Sequence, residues 1–172
     1  MGGKKLIDMA EKSNDPTKNT GEEKIQKILV PVDKSGYKDK IISYSTILAK
    51  ALKANITAVH VIDRASLGII GDLIGFYRGG MVEEYEKALS KQTEEFLAEV
   101  KHSLENEGVS ASTEVIIGKS SAGESIIEYA KQGNFDLIVI GTKGLTGAEK
   151  FLMGGVASSV IQHAHCSVLA VR

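Results

Sequence analysis

Cysteine is nearly absent from this sequence of 172 residues, where Cys166 stands alone. A single thiol cannot close an internal disulfide, which fits a reducing cytoplasm and argues against a secreted, bridge-stabilised scaffold. Net charge is nearly absent too. The 21 Lys and Arg face 22 Asp and Glu, a formal charge of -1, so the overall balance gives no attraction to nucleic acid or to an acidic membrane surface. Long apolar runs are missing as well. The longest, Leu67 to Tyr77, is broken by Asp72 and three glycines and is too short to span a bilayer. Met1 to Lys12 carries Lys4, Lys5, Asp8, Glu11 and Lys12, too polar for a signal peptide. Gly2 is not followed by the Ser or Thr that myristoylation requires, because Leu6 stands there. The expectation is a cytoplasmic protein with no nucleic-acid and no membrane partner.

What is present reads as one folded domain. Hydrophobic residues make up 42% and charged residues 25%, close to the globular average. A domain of about 150 residues buries roughly 70% of its extended-chain surface and needs no metal or disulfide to hold its core. Residues 1–24 read as a flexible tail, since Ser13 to Gly21 offers no apolar anchor. Residues 25–172 read as the domain.

From Lys27 two textures alternate. Ile28–Val32, Ile56–Ile62, Val115–Ile117, Leu137–Ile140 and Val168–Val171 are short runs rich in β-branched residues. They are nearly continuous rather than alternating, as strands covered on both faces should be. Between them lie helical periods, with apolar stripes at Ile41, Tyr44, Leu48 and Leu52, and at Val82, Tyr85, Leu89, Phe96, Val100 and Leu104. A third helix starts at a capping box, Ser121-Ala122-Gly123-Glu124, and ends at Gly133, placed for a left-handed cap. A fourth runs from about Gly154 to Ala164. Five strands alternating with four helices predict an α/β fold, a doubly wound parallel sheet with helices on both faces. The Ala65–Gly80 segment breaks this rhythm with five glycines among apolar residues. It reads either as a functional loop that meets a partner or as a short helix folded onto the core.

In open parallel sheets, ligands bind at the carboxyl ends of strands, where successive crossovers diverge. Strand one is followed by Asp33-Lys34-Ser35-Gly36, and strand four by Gly141-Thr142-Lys143-Gly144-Leu145-Thr146-Gly147. Gly154-Gly155 then opens the last helix, with Val156 and Ser158 in its first turn. Glycines there let phosphate oxygens approach backbone N–H groups, and the unpaired amides of a helix N-terminus favour negative charge. Lys143 adds a formal positive charge. The alternative is that these glycines only permit tight turns and close packing.

The spacing Gly141-x2-Gly144-x9-Gly154 resembles the nucleotide signature of the universal stress protein family. Ile28-Leu29-Val30-Pro31-Val32-Asp33 resembles that family's first strand, His60-Val61-Ile62-Asp63 its second, and His165 to Arg172 its last. The resemblance covers about residues 25–172. It implies a five-stranded sheet of order 3-2-1-4-5, a homodimer joined through the C-terminal strand 168–172, and an adenine nucleotide as ligand. That ligand would be AMP or ATP, the latter with or without magnesium. The resemblance puts Pro31, Val32 and Asp33 around adenine and ribose, and Val61 against the base. Gly141, Thr142, Lys143, Gly144, Gly154, Gly155, Val156 and Ser158 would lie around ribose and phosphates. The chain departs from the pattern at one position. Gly155 stands where the family has Ser or Thr, so a phosphate-binding hydroxyl is missing, with Ser158 or Ser159 about one turn further on. The function expected is a regulatory or sensor dimer; the rivals are a dimerising scaffold that binds no nucleotide and a slow ATPase.

Other motifs carry less. Gly118-Lys119-Ser120 lacks the P-loop's earlier glycine, because Thr113 stands there. His163, His165 and Cys166 are metal-ligating types without a second cluster, so no metal is expected. A receiver domain would need an acceptor Asp after strand three and a Lys after strand five, and neither is present. No Ser–His–Asp set is apparent. Asp33 is the sole acidic residue near the proposed pocket, so no catalytic residue is assigned.

Overall fold

The computed structural model describes residues 24–63, 81–118, 120–143 and 153–172. Strands and helices alternate as β1 (Lys27–Pro31), α1 (Lys38–Leu52), β2 (Asn55–Asp63), α2 (Met81–Asn106), β3 (Ala111–Gly118), α3 (Ala122–Gln132), β4 (Leu137–Gly141), α4 (Gly155–His163) and β5 (Ser167–Val171). Every strand pair is parallel, and the order is β3-β2-β1-β4-β5. This is the doubly wound sheet that the alternation and the family resemblance imply. The tail and the Ala65–Gly80 segment lie outside the described residues, as does Gly144.

Side chains alternate across the sheet between two cores. Ile28 and Val30 of β1, Ile56 and Ala58 of β2, and Leu137 and Val139 of β4 pack with Ile41, Ile42 and Ala49 of α1 and with Phe96, Val100 and Leu104 of α2. Their neighbours Leu29, Val59, Ile138 and Ile140 pack on the other face with Ile126 and Ala130 of α3 and Ala157 and Val160 of α4. Helices α1 and α2 therefore cover one face and α3 and α4 the other. Because both faces are covered, β1 and β4 are buried over four consecutive residues each. Full burial of each such side chain contributes about 1.5–3 kcal/mol, which explains why these strands read as unbroken apolar runs.

Where the sequence reading was off, the departures have local causes. The α1 stripe is rotated: its buried positions are Ile41, Ile42, Ser45, Thr46 and Ala49, while Tyr44 and Leu52 are exposed. Ser45 can turn inward because its hydroxyl donates to the Ile41 carbonyl at 2.8 Å. Strand β3 starts four residues before Val115, at Ala111. It is an edge strand, and its Ser112 and Glu114 are exposed. Ser121 caps α3 as expected, its hydroxyl accepting from the Glu124 N–H at 3.3 Å. Gly133, however, is right-handed at φ -80; the left-handed residue is Asn134, at φ 48. On α2, Phe96, Val100 and Leu104 are buried as expected, whereas the side chains of Val82 and Tyr85 lie outside the description.

Asp136, just before β4, ties the start of the sheet together. Its carboxylate accepts from the backbone N–H groups of Gln26 and Lys27 at 2.8 and 2.9 Å. Among the described residues, no helix is long and apolar enough to cross a membrane.

Candidate functional site

The switch point lies between β1 and β4, because α1 leaves β1 for one face and α4 leaves β4 for the other. On the β1 side the ladder runs one residue past the strand, with the Val32 N–H donating to the Val59 carbonyl at 2.8 Å. Nδ1–H of His60 donates to the Val32 carbonyl at 2.8 Å, which fixes the proton on that nitrogen. Pro31 and Val32 are buried. Asp33 then turns the chain, its carboxylate accepting from the Ser35 N–H at 3.0 Å, and α1 starts at Lys38.

On the β4 side Thr142 organises the edge. Its N–H donates to the Val171 carbonyl at 2.8 Å, and its own carbonyl accepts from the Gly154 N–H at 3.0 Å. Its hydroxyl also donates to the Val171 carbonyl, at 3.2 Å. Thr142 thus joins the ends of β4 and β5 to the start of α4. With the side chain buried at 5% exposure and its proton engaged, its part in the site is to position α4. The Lys143 ammonium lies 5.7 Å from the centre of the Tyr37 ring, so the two sides of the switch point are in contact. A Cβ at Gly141 would fall 2.7 Å from Ile41 Cδ1, so the end of the Ile41 side chain would have to shift to admit one.

The N-terminus of α4 differs in chemistry from that of α3. Gly154 is the N-cap, no side chain among the described residues caps the helix, and no acidic residue sits in the first turn. Its carbonyl accepts from the Ser158 N–H at 3.0 Å. Among the described residues, nothing neutralises the first amides of α4 or the positive end of its dipole. At Gly155 a Cβ would meet nothing within 4 Å, and φ is not positive. Neither packing among the described residues nor backbone conformation requires glycine there.

The predicted site residues divide accordingly. Val32, Asp33, Gly141, Thr142, Lys143, Gly154 and Gly155 lie along one carboxyl edge. Val61 is half-buried one strand out, among the side chains that face α3 and α4, whereas Val32 faces α1 and α2. Val156 is exposed in the first turn of α4. Ser158 accepts a hydrogen bond from Gln162 at 3.2 Å. Ser159 packs toward α3, where a Cβ on Gly123 would lie 2.9 Å from it.

The sequence reading missed the surroundings of Phe96. The ammonium groups of Lys34 and Lys38 lie 5.8 and 5.6 Å from its ring centre, and the His60 ring meets it edge-on at 5.7 Å. Lys34 and Lys38 stand in plain view after Asp33, but the ring that gathers them comes from α2.

Two other features lie apart from this edge. A cleft of about 460 Å³, lined by Gln26, Lys27, Lys53, Asn55 and Thr57, opens at the amino-terminal end of the strands, away from where doubly wound sheets bind ligands. Burial, and secondarily the charge of Asp136, raises the Cys166 thiol pKa above its ordinary value. Among the described residues, no three His, Cys, Asp or Glu side chains converge as metal ligands would.

Sheet order and switch-point geometry together define a doubly wound, Rossmann-like α/β protein. The chain belongs to the universal stress protein family, whose model matches residues 24–172. A universal stress protein of Methanocaldococcus jannaschii is 34% identical over 152 residues, covering 88% of this chain and 85% of that protein. The solved UspA of Lactobacillus plantarum superposes with a TM-score of 0.71 at 25% identity, over 87% of this chain and 99% of that one. The universal stress protein of Archaeoglobus fulgidus, solved in complex with dAMP, superposes with a TM-score of 0.60 at 20% identity, over 86% and 98% of the two chains.

Proposed function

We propose that this chain binds an adenine nucleotide, AMP or ATP, at the carboxyl edge between β1 and β4, and works as a regulatory dimer. The observation that carries this reading is the N-terminus of α4: a glycine cap, no first-turn carboxylate, and no described residue within 4 Å of a Cβ at Gly155, set beside the ends of β4 and β5 by Thr142. Such an end attracts a phosphate through its amides and dipole. The dAMP complex of the Archaeoglobus fulgidus relative supports an adenylate as the ligand class.

On this reading Pro31, Val32 and Asp33 flank adenine and ribose, and Val61 contributes apolar surface to the base. Gly141 and Gly144 give close access, Gly154, Gly155 and Val156 offer backbone, and Lys143 adds charge. Ser158 lies one turn behind the phosphate. The dimer forms through β5, an edge strand with one side unpaired. The missing hydroxyl at Gly155 is what favours the second reading, a dimerising scaffold of the same fold without nucleotide.

Calorimetric titration of nucleotide-stripped protein with AMP, then with ATP with and without magnesium, separates the two. Saturable binding that disappears in Gly155→Asp is the expected result. A carboxylate there has room, favours the helix dipole and repels phosphate, so the variant should melt no lower than the parent. Absence of heat with either nucleotide establishes the scaffold reading instead.

A further inference from the structure

Past Leu29, β1 loses its partner on one side. Among the described residues the β1–β4 ladder pairs only Ile28 and Leu29, whereas the β1–β2 ladder continues to Pro31. The direction of successive backbone groups explains the split. The Val32 N–H donates to Val59 of β2, and backbone groups alternate sides along a strand, so Pro31 and Asp33 face β4. Pro31 has no N–H to donate there. At Asp33 the ladder has already ended, and its N–H meets no acceptor among the described residues.

A side chain holds this end of β1. No backbone N–H donates to the Val32 carbonyl among the described residues; Nδ1–H of His60 does so instead, at 2.8 Å. The imidazole is set in turn by the buried ring of Phe96, which it meets edge-on at 5.7 Å. The peptide joining Val32 to Asp33 is planar and trans, so whatever fixes its C=O also fixes its N–H. With the carbonyl drawn toward β2, the Asp33 N–H is turned the opposite way, into the crevice between β1 and β4. The Asp33 carboxylate, which accepts from the Ser35 N–H at 3.0 Å, carries that orientation into the turn.

We infer that His60 is a positioning residue for the ligand site: its Nδ1–H locks the Val32–Asp33 peptide with the Asp33 N–H facing the crevice. This rests on the adenylate reading of the carboxyl edge. A donor already held in one direction needs no ordering when the nucleotide arrives. Loss of one neutral hydrogen bond of this kind corresponds to about three- to tenfold weaker binding.

Two variants part the donor from the ring. His60→Phe keeps a ring against Phe96 and has no donor; His60→Asn keeps an N–H donor at the same remove from Cβ and has no ring. Titration should show AMP bound about three- to tenfold more weakly by His60→Phe, and within about twofold of wild type by His60→Asn. The residual dipolar coupling of the Asp33 N–H, measured by NMR without nucleotide, reads its direction. It should agree between wild type and His60→Asn and differ in His60→Phe. A coupling unchanged in His60→Phe overturns the positioning role whatever AMP does. So does His60→Asn behaving like His60→Phe, since the ring would then be what matters. A changed coupling with AMP affinity intact shows that the peptide's direction does not serve the site, and overturns the inference too. If the couplings follow the donor while wild type binds no AMP, the adenylate reading fails and the positioning of Asp33 stands.

Discussion

Gly155 concentrates the functional question into one side chain. The backbone there is ordinary and no described residue comes within 4 Å of the Cβ position, so none of them stands in the way of a serine. If a phosphate sits at the α4 end, the Gly155→Ser hydroxyl adds a hydrogen bond to a charged group, worth about 1.5–3 kcal/mol. Affinity for AMP and ATP should rise about ten- to a hundredfold, read by titration of the two proteins side by side. An unchanged affinity would mean that the phosphate lies elsewhere. Thr46 poses the opposite case. Its hydroxyl is buried and has no hydrogen-bond partner among the described residues, so it gives up hydration on folding without a protein partner among them. Thr46→Val keeps the shape and removes that burden, and should stabilise the protein by about 1 kcal/mol in chemical denaturation. A loss of stability would show that the hydroxyl has a partner in solution. Both residues also show where the sequence stopped being legible. Gly155 was visible as a departure from a motif, but the open space around it was not. Thr46 and Ser45 are polar, so apolar periodicity does not mark them as buried, and the stripe it predicts through Tyr44 and Leu48 lies one position from Ser45 and Ala49.

Among elements, legibility followed burial. β1 and β4 are covered on both faces and appeared as unbroken apolar runs; β3 sits at an edge, and its first half, Ala111 to Glu114, mixes polar and apolar residues that gave no strand pattern. The end of α3 is more instructive. Glycine is the usual left-handed cap because it lacks the Cβ clash, yet Gly133 is right-handed and Asn134 makes the turn. Gly133 is glycine because of Phe135. A Cβ there would lie 2.8 Å from Phe135 Cδ2, closer still to Cε2, and 3.2 Å from the Tyr129 carbonyl, while the Phe135 ring stacks against Tyr129 at 5.9 Å. Steric demand, which depends on a contact two residues on, replaced the conformational demand that local sequence suggests. Gly133→Ala should therefore cost about 1–3 kcal/mol by forcing the ring off its packing. Asn134→Gly should cost nothing, since it only relieves a left-handed residue. Urea unfolding of both variants checks the assignment; if Asn134→Gly were the damaging one, the cap would owe its stability to the asparagine side chain.

At the scale of the whole molecule, the fold leaves β5 as an edge strand, and the proposed dimer uses that edge. Its backbone shows which atoms are free. The Val171 carbonyl accepts from Thr142 on the β4 side, and amide and carbonyl groups alternate sides along a strand. The N–H and C=O of Ala170 therefore point outward, away from β4. Ala170 is exposed, and proline is tolerated on edge strands when its missing N–H faces away from the sheet. Ala170→Pro should thus leave β4–β5 pairing intact while removing a donor that a second β5 would need. Sedimentation velocity should show wild type as a dimer and Ala170→Pro as a monomer, with melting temperature falling no more than dissociation explains. A variant that stays dimeric would move the interface away from β5. A wild type that is monomeric at high concentration would remove the dimer from the proposed function, while leaving the proposed nucleotide site, whose residues all come from one chain, to be tested by titration.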